Sequence, residues 1–220
     1  MERGLTMKLF LIGANGQIGN QVLEQIKADE RHSVKAMVRK QEQLEKYQDA
    51  GVDAVLADLE GSVADLAKAM EGSDAVIFTA GSGGNTGDDK TLLIDLDGAV
   101  KAMEAAEQSG VNRFVMVSAM QAHNRENWHK DLRTYYVAKH YADRMLRSSD
   151  LNYTIVRPGL LLNEPGTGKV SIAENLGQGS IPREDVAKLV IKALDNEKTY
   201  YRSFDLISGE QSIEQAIESL

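Results

Sequence analysis

At 220 residues the chain can bury a substantial core without reaching the length at which cores divide, so one domain spanning 1–220 is expected. Its 33 acidic residues against 25 basic ones leave a net charge of -8, which repels a phosphate backbone and argues against a nucleic-acid partner. The absence of cysteine excludes disulfides, thiolate metal sites and cysteine nucleophiles.

The N-terminal stretch MERGLTMKLF lacks the long apolar segment and cleavage site of a signal peptide. No apolar run approaches the roughly 18 residues of a spanning helix. A cytoplasmic location without membrane association is expected. Met7 is an alternative start, which would make residues 1–6 a frayed extension. From Lys8 onward, short apolar runs alternate with helical patterns. KLFLIG (8–13) reads as a strand, and Ile18, Val22, Leu23 and Ile26 then mark one face of a helix. SVKAMVR (33–39) is a second strand and KQEQLEKYQDAG a polar helix closed by glycine. VDAVLAD (52–58), DAVIFTAG (74–81), RFVMVSA (113–119) and YTIVRPG (153–159) are further strands. They are separated by helices over VADLAKAMEG, 91–110 and 134–149. The helical REDVAKLVIKALDN, the strand SFDLIS and a terminal helix close the chain.

Strands apolar nearly throughout, each followed by a crossover helix, belong to a parallel sheet covered on both faces. The expected fold is a doubly wound, Rossmann-type α/β domain with a small C-terminal substrate lobe. Glycine-rich segments at 81–87 and 159–180 follow strand ends, where such sheets bind ligands, and the substrate side is expected around 160–180.

Gly13, Gly16 and Gly19 form G-x-x-G-x-x-G between the first strand and first helix. In a dinucleotide site the first glycine permits the turn, the second admits the pyrophosphate, and the third lets helix and strand pack closely. Free amides and the positive end of the helix dipole then face the phosphates. Asn15, Gln17 and Ile18 within the motif, with Ala80 and Gly81 after the fourth strand, are the accompanying cofactor-side candidates. An NAD-selective site places an acidic residue after the second strand. This chain has Arg39 and Lys40 there, so NADP is the expected cofactor and NAD the lesser candidate. Asp58 either accepts from the adenine amino group or caps the turn before LEGS.

With these residues placed, the sequence resembles the short-chain dehydrogenase/reductase superfamily, and more narrowly its atypical NAD(P)-binding branch of flavin reductase-like and sugar epimerase-like members. The likeness runs through GANGQIG, AMVR, LAD, FVMVSAM, YYVAKHYAD and YTIVRPG. It implies a catalytic serine after the fifth strand and a Y-x-x-x-K helix, which map onto Ser118, Tyr135 and Lys139. It further implies that Lys139 touches the nicotinamide ribose and that Pro158 and Gly159 hold backbone near the nicotinamide, although a proline ending a strand is also an ordinary loop signal. The superfamily's helix-four asparagine is replaced by Asp95, which puts the usual proton relay in doubt.

Four residues of helix advance about 400 degrees, which leaves Tyr135 and Lys139 one turn apart on the same side. A nearby ammonium is expected to lower the phenol's pKa so that it exchanges a proton with substrate while the nicotinamide exchanges hydride. Ser118 would bond the same oxygen. Alternatively the pair is an ordinary one at the edge of a buried stripe formed by Val137, Ala138, Tyr141, Ala142, Met145 and Leu146. His123, His129 and Trp128 either border the substrate pocket or belong to a solvated loop with one anchoring aromatic, and no metal site is expected. The sequence therefore predicts an NADP-dependent oxidoreductase acting on a small carbonyl or alcohol. The alternatives are a non-catalytic NADP(H) sensor, and an epimerase or dehydratase that retains NAD. A homo-oligomer is compatible with the apolar helix faces.

Overall fold

Every apolar run read as a strand pairs into one sheet in the computed structural model, which describes residues 6–84 and 86–220. The expectation of a frayed extension before Met7 lies, Thr6 apart, outside the described residues. Strand β1 (Lys8–Ile12) bonds to β2 (Ser33–Val38) on one side and to β4 (Ala75–Phe78) on the other, both parallel. Beyond β2 lies β3 (Asp53–Leu56), and beyond β4 lie β5 (Arg113–Val117) and β6 (Asn152–Pro158). Because successive side chains point to opposite faces, β1, apolar throughout after Lys8, feeds two cores. Leu9 and Leu11 meet Val22, Leu23 and Ile26 of α1 (Gln17–Asp29) and Val186 and Val190 of α7 (Arg183–Ala193). Phe10 and Ile12 face Leu66 and Met70 of α3 (Val63–Met70), Ala102 and Met103 of α5 (Ala99–Ser109), and Leu146 of α6 (Arg133–Ser148). Helix α2 (Gln41–Asp49) adds Tyr47 to the first of these cores.

Within the nine-stranded sheet these six strands lie in the order 3-2-1-4-5-6, which reverses direction between β1 and β4, so a crevice opens at the carboxyl ends of those two strands. It is a Rossmann-like α/β fold.

Two expectations need correction. Residues 160–180 are not a plain glycine-rich loop on a purely parallel sheet. β7 (Leu160–Leu162) pairs with β9 (Ser180–Pro182) as a separate ribbon, while β8 (Lys169–Ala173) runs antiparallel to β10 (Arg202–Ser208) and to β11 (Gln211–Ser212), ahead of the closing helix α8 (Ile213–Glu218). These strands are short, and the signal of period two fades over so few residues. The helix expected over 91–110 is also composite. After a single turn, α4 (Asp88–Lys90), a π-helical stretch over Thr91–Gly98 leads into α5. Its wider turns hold Asp95 inward, where the carboxylate Oδ2 accepts a 2.9 Å hydrogen bond from the Ser82 amide.

Candidate active site

The glycine turn sits in the crevice because its backbone is pressed against the end of β4. Gly13 has φ +91, and a Cβ there would lie 2.6 Å from the Ala80 amide nitrogen, so both conformation and space demand glycine. A Cβ on Gly19 would clash with the Gly13 carbonyl oxygen and lie 2.8 Å from its carbon. The turn closes through the Gly16 amide, which donates to Gly13 O at 2.9 Å. The Thr79 hydroxyl ties β4 to it by donating to Ile12 O at 2.9 Å. Tyr47, which sequence reasoning missed, donates from its hydroxyl to Ala14 O at 3.1 Å. No local pattern marks that contact, because it joins α2 to a loop 33 residues away.

Gly16 is the N-cap of α1 and provides no side-chain cap, nor does the first turn carry an acidic residue. The leading amides of that 13-residue helix therefore have no intrahelical acceptor and face the crevice with the positive end of its dipole. Asn15, Gly16 and Gln17 are exposed, whereas Ile18 is buried and anchors the helix. This cradle suits a diphosphate group. Arg39 and Lys40 are exposed after β2; the Arg39 amide contacts Gln43 Oε1 at 3.3 Å, and its guanidinium lies in solvent.

For Asp58 the turn contact is the one present: its Oδ1 accepts from the Glu60 amide at 3.0 Å, and its carbonyl accepts from Gly61. Ala80 and Gly81 lie beside the cradle, with Gly81 near Asp95: a Cβ on Gly81 would lie 3.1 Å from Asp95 Oδ1. Pro158 ends β6 buried, its carbonyl accepting from Met120 N at 3.0 Å. Gly159 is required by the fold itself, since a Cβ would meet the Gly179 carbonyl and Ile207.

Helix α6 presents a polar row to the same crevice. Its buried residues are Ala138, Lys139, His140, Ala142, Asp143 and Leu146, whereas Tyr141 and Met145 are 42% and 48% exposed. The stripe expected from spacing is thus rotated, and the Tyr135–Lys139 side turns inward. The reason is electrostatic: Lys139 Nζ lies 3.0 Å from Asp95 Oδ1, with both side chains buried, and 5.7 Å from the Tyr135 ring centroid.

Burial opposes the Lys139 charge, yet Tyr135, Asp95 and Asp143 outweigh it and push the ammonium's pKa up. The Tyr135 phenol is also pushed up, against expectation. Burial is the main cause; Lys139 pulls the other way, and Asp95 offsets part of that pull. The phenol therefore stays protonated at neutral pH.

Ser118 follows β5, where its amide donates to Val156 O at 2.7 Å and its side chain is buried. Asp143, also missed, lies one turn beyond Lys139 and is wholly buried. The Ser118 hydroxyl and both Asp143 carboxylate oxygens are buried without a hydrogen-bond partner, and the hydroxyl favours the charged form of Asp143. Burial nonetheless raises Asp143 to about 6, against the opposing pull of Ser118, Arg157, Arg147 and Lys139. The signal that would have revealed it is the period of four along Tyr135, Lys139 and Asp143.

Beside this row, Gln121 ties its own loop to the segment at Leu176 and to β10. Its side-chain amide nitrogen lies 2.9 Å from Asp205 Oδ2 and 2.7 Å from Leu176 O, and its Oε1 accepts from Asn127 at 2.8 Å. Asp205 in turn pairs with Arg157 Nε at 2.8 Å in a fully buried contact. Trp128 anchors its loop as one of the two readings held, stacked on Tyr136 at 5.8 Å and donating to Gln121 O at 3.2 Å. His129 is exposed, and His123 is lowered by burial and by Arg157.

The comparisons with known proteins agree with this geometry. A family model described as NAD(P)H-binding matches residues 13–197, and the chain belongs to that family. A Bacillus subtilis (strain 168) protein called uncharacterized sugar epimerase YhfK is 59% identical, over 97% of this chain and 100% of its own length. A solved structure described as a putative NAD-dependent epimerase/dehydratase from Bacillus halodurans is 40% identical, with a TM-score of 0.90 over 97% of this chain and 100% of that one. The oxidoreductase ylbE from Lactococcus lactis is 33% identical, with a TM-score of 0.88 over 97% and 96%. Fold, site and relatives define an NAD(P)-binding protein of oxidoreductase or epimerase type. Among the described residues no helix is long and apolar enough to cross a membrane.

Proposed function

We propose that the chain is an NADP(H)-dependent reductase of a small carbonyl or similarly conjugated compound. The observation that carries this reading is the placement of the Tyr135 phenol, its ring centroid 5.7 Å from Lys139 Nζ, beside the buried Lys139–Asp95 pair at the crevice that the glycine turn opens. A protonated phenol is poised to give a proton, which is what reduction of a carbonyl oxygen requires.

In this reading the amides at Gln17 and Ile18 hold the diphosphate, Gly13, Gly16 and Gly19 hold the turn, and Asn15, Ala80 and Gly81 border the cofactor. Arg39 offers its planar fork to a 2'-phosphate, which an acidic residue at that position would repel. When bound, the coenzyme supplies the hydride. Tyr135 gives its proton to the substrate oxygen as charge develops there, and the Lys139 ammonium stabilises the phenolate that remains. Ser118 holds the same oxygen by a hydrogen bond. The 120–133 loop and the stranded 160–180 segment enclose the small-molecule substrate, with Pro158 and Gly159 supporting the wall between them.

The test is oxidation of NADPH across a panel of quinones, flavins, aldehydes and ketones, repeated with Tyr135→Phe. Loss of turnover by about 100-fold or more with unaltered NADPH affinity is expected. Unchanged turnover would remove Tyr135 from the mechanism. The names of two relatives favour a second reading, epimerisation or dehydration with retained NAD. A product assay on nucleotide sugars under conditions of no net cofactor change separates the two, and the short 160–180 segment argues against so bulky a substrate.

A further inference from the structure

Asp143 has no part in the scheme above, yet it occupies the most sheltered position of the polar row. Tyr135, Lys139 and Asp143 follow one another at intervals of four along a single face of α6. Asp143 is fully buried, and neither carboxylate oxygen has a partner of hydrogen-bond geometry. The Ser118 hydroxyl opposite is buried and equally unpartnered. Two adjacent buried polar groups, each able to complete the other, form a pair whose polarity is undecided until a proton is assigned.

We infer that Asp143 is a positioning residue whose proton sets the direction in which the Ser118 hydroxyl points. As a neutral acid, Asp143 donates to Ser118 Oγ and turns the Ser118 O–H toward the crevice, where it bonds a carbonyl oxygen. As a carboxylate, Asp143 accepts the Ser118 O–H, so that only Oγ lone pairs face the crevice and an alcohol is the better guest. The acid form thus favours reduction and the base form favours oxidation, while Asp143 exchanges no atom with substrate. This inference rests on the reductase reading for its consequence, not for the pairing itself.

The surroundings allow both forms. Arg157 on β6, Arg147 and Lys139 on α6, and the Ser118 hydroxyl after β5 all favour the carboxylate; burial opposes it and prevails, placing the titration at about 6. Lys139 is already engaged by Asp95 from the π-helical stretch, and Tyr135 remains protonated throughout this range.

Two measurements decide the matter. The first needs no activity: carboxyl carbon NMR of aspartate-labelled protein, with the Asp143 signal assigned by its loss in Asp143→Asn. The signal is expected to titrate near pH 6 and to move to higher pH in Ser118→Ala, which lacks the hydroxyl that stabilises the carboxylate. An Asp143 titration identical in both proteins overturns the pairing. The second is the pH profile of kcat in each direction. Reductive kcat is expected to fall about tenfold per pH unit above the step while oxidative kcat rises. In Asp143→Asn, whose amide donates to Ser118 at every pH, the reductive step disappears and NADPH affinity is unchanged. Persistence of that step in Asp143→Asn overturns the inference. Absence of any NADPH-linked turnover in the wild-type protein would refute the reductase reading instead and leave the NMR result to judge the pair.

Discussion

The glycine turn separates two roles that one substitution each can isolate. In Gly19→Ala the new methyl clashes with the Gly13 carbonyl oxygen and lies 2.9 Å from Thr79 Oγ1. Backbone is the obstacle, so no rotamer change relieves it, and the cost belongs at the upper end of overpacking, about 3 kcal/mol. For a chain of this size that corresponds to a fall in Tm of about 6–12 °C. In Gly16→Ala the only neighbour within range is Gly13 O at 3.2 Å, and φ is -75, so the fold should lose at most about 1 kcal/mol. Yet its methyl projects at the helix N-cap, where a diphosphate must approach closely. Losing one or two charge-assisted bonds, each worth about 1.5–3 kcal/mol, weakens NADPH binding by roughly tenfold or more. Thermal unfolding and titration calorimetry on both variants read the two effects independently. Wild-type NADPH affinity in Gly16→Ala would refute a diphosphate seated on that helix terminus, whatever the behaviour of Gly19→Ala.

Three further outcomes follow from other residues. Arg39→Asp should weaken NADPH by more than about tenfold while leaving NADH within about threefold, since a carboxylate repels the 2'-phosphate but accepts from a hydroxyl; parallel titrations with both coenzymes check it. Arg113 donates from buried nitrogens to Leu194 O at 2.9 Å, Ala193 O at 2.6 Å and Thr154 Oγ1 at 2.7 Å, closing the end of α7, and burial lowers its pKa to about 10. Arg113→Met leaves those acceptors unsatisfied and should cost about 3 kcal/mol in urea unfolding without altering NADPH affinity; a loss under about 1 kcal/mol would contradict this. Asp143, with its folded pKa raised from 3.8 to about 6, stabilises the fold fully only below about pH 4 and loses that contribution as pH rises through 6. Two units at 1.36 kcal/mol each make about 3 kcal/mol. The stability of Asp143→Asn relative to wild type should therefore improve by about that amount between pH 3 and pH 7, as measured by denaturant unfolding across that range.

How far the sequence could be read depends on the range of the interaction concerned. The main parallel strands and the glycine motif announce themselves through local spacing, and the structure keeps them with only small changes of boundary. The helix face of α6 did not follow its apolar spacing, because Lys139 is paired inward with Asp95 and Asp143 is buried one turn beyond it, while Tyr141 and Met145 are left outside. Hydropathy counts such residues as surface, and only a partner such as Asp95, 44 residues earlier, justifies burying them. Tyr47 and Gln121 escaped for the same reason, since each acts through contacts to distant backbone.

The chain's alternation of apolar strands with amphipathic helices, and the turn geometry that Gly13, Gly16 and Gly19 permit, were enough to specify a doubly wound sheet with a nucleotide-sized opening. Periodicity and conformational freedom are properties of neighbouring residues, so they survive in one dimension. Proton affinity is a property of surroundings. Whether the Tyr135 phenol is acidic or not, which charge Lys139 serves, and what Asp143 does with its proton were decided by burial and by carboxylates and guanidinium groups brought together from α6, β6 and the π-helical stretch.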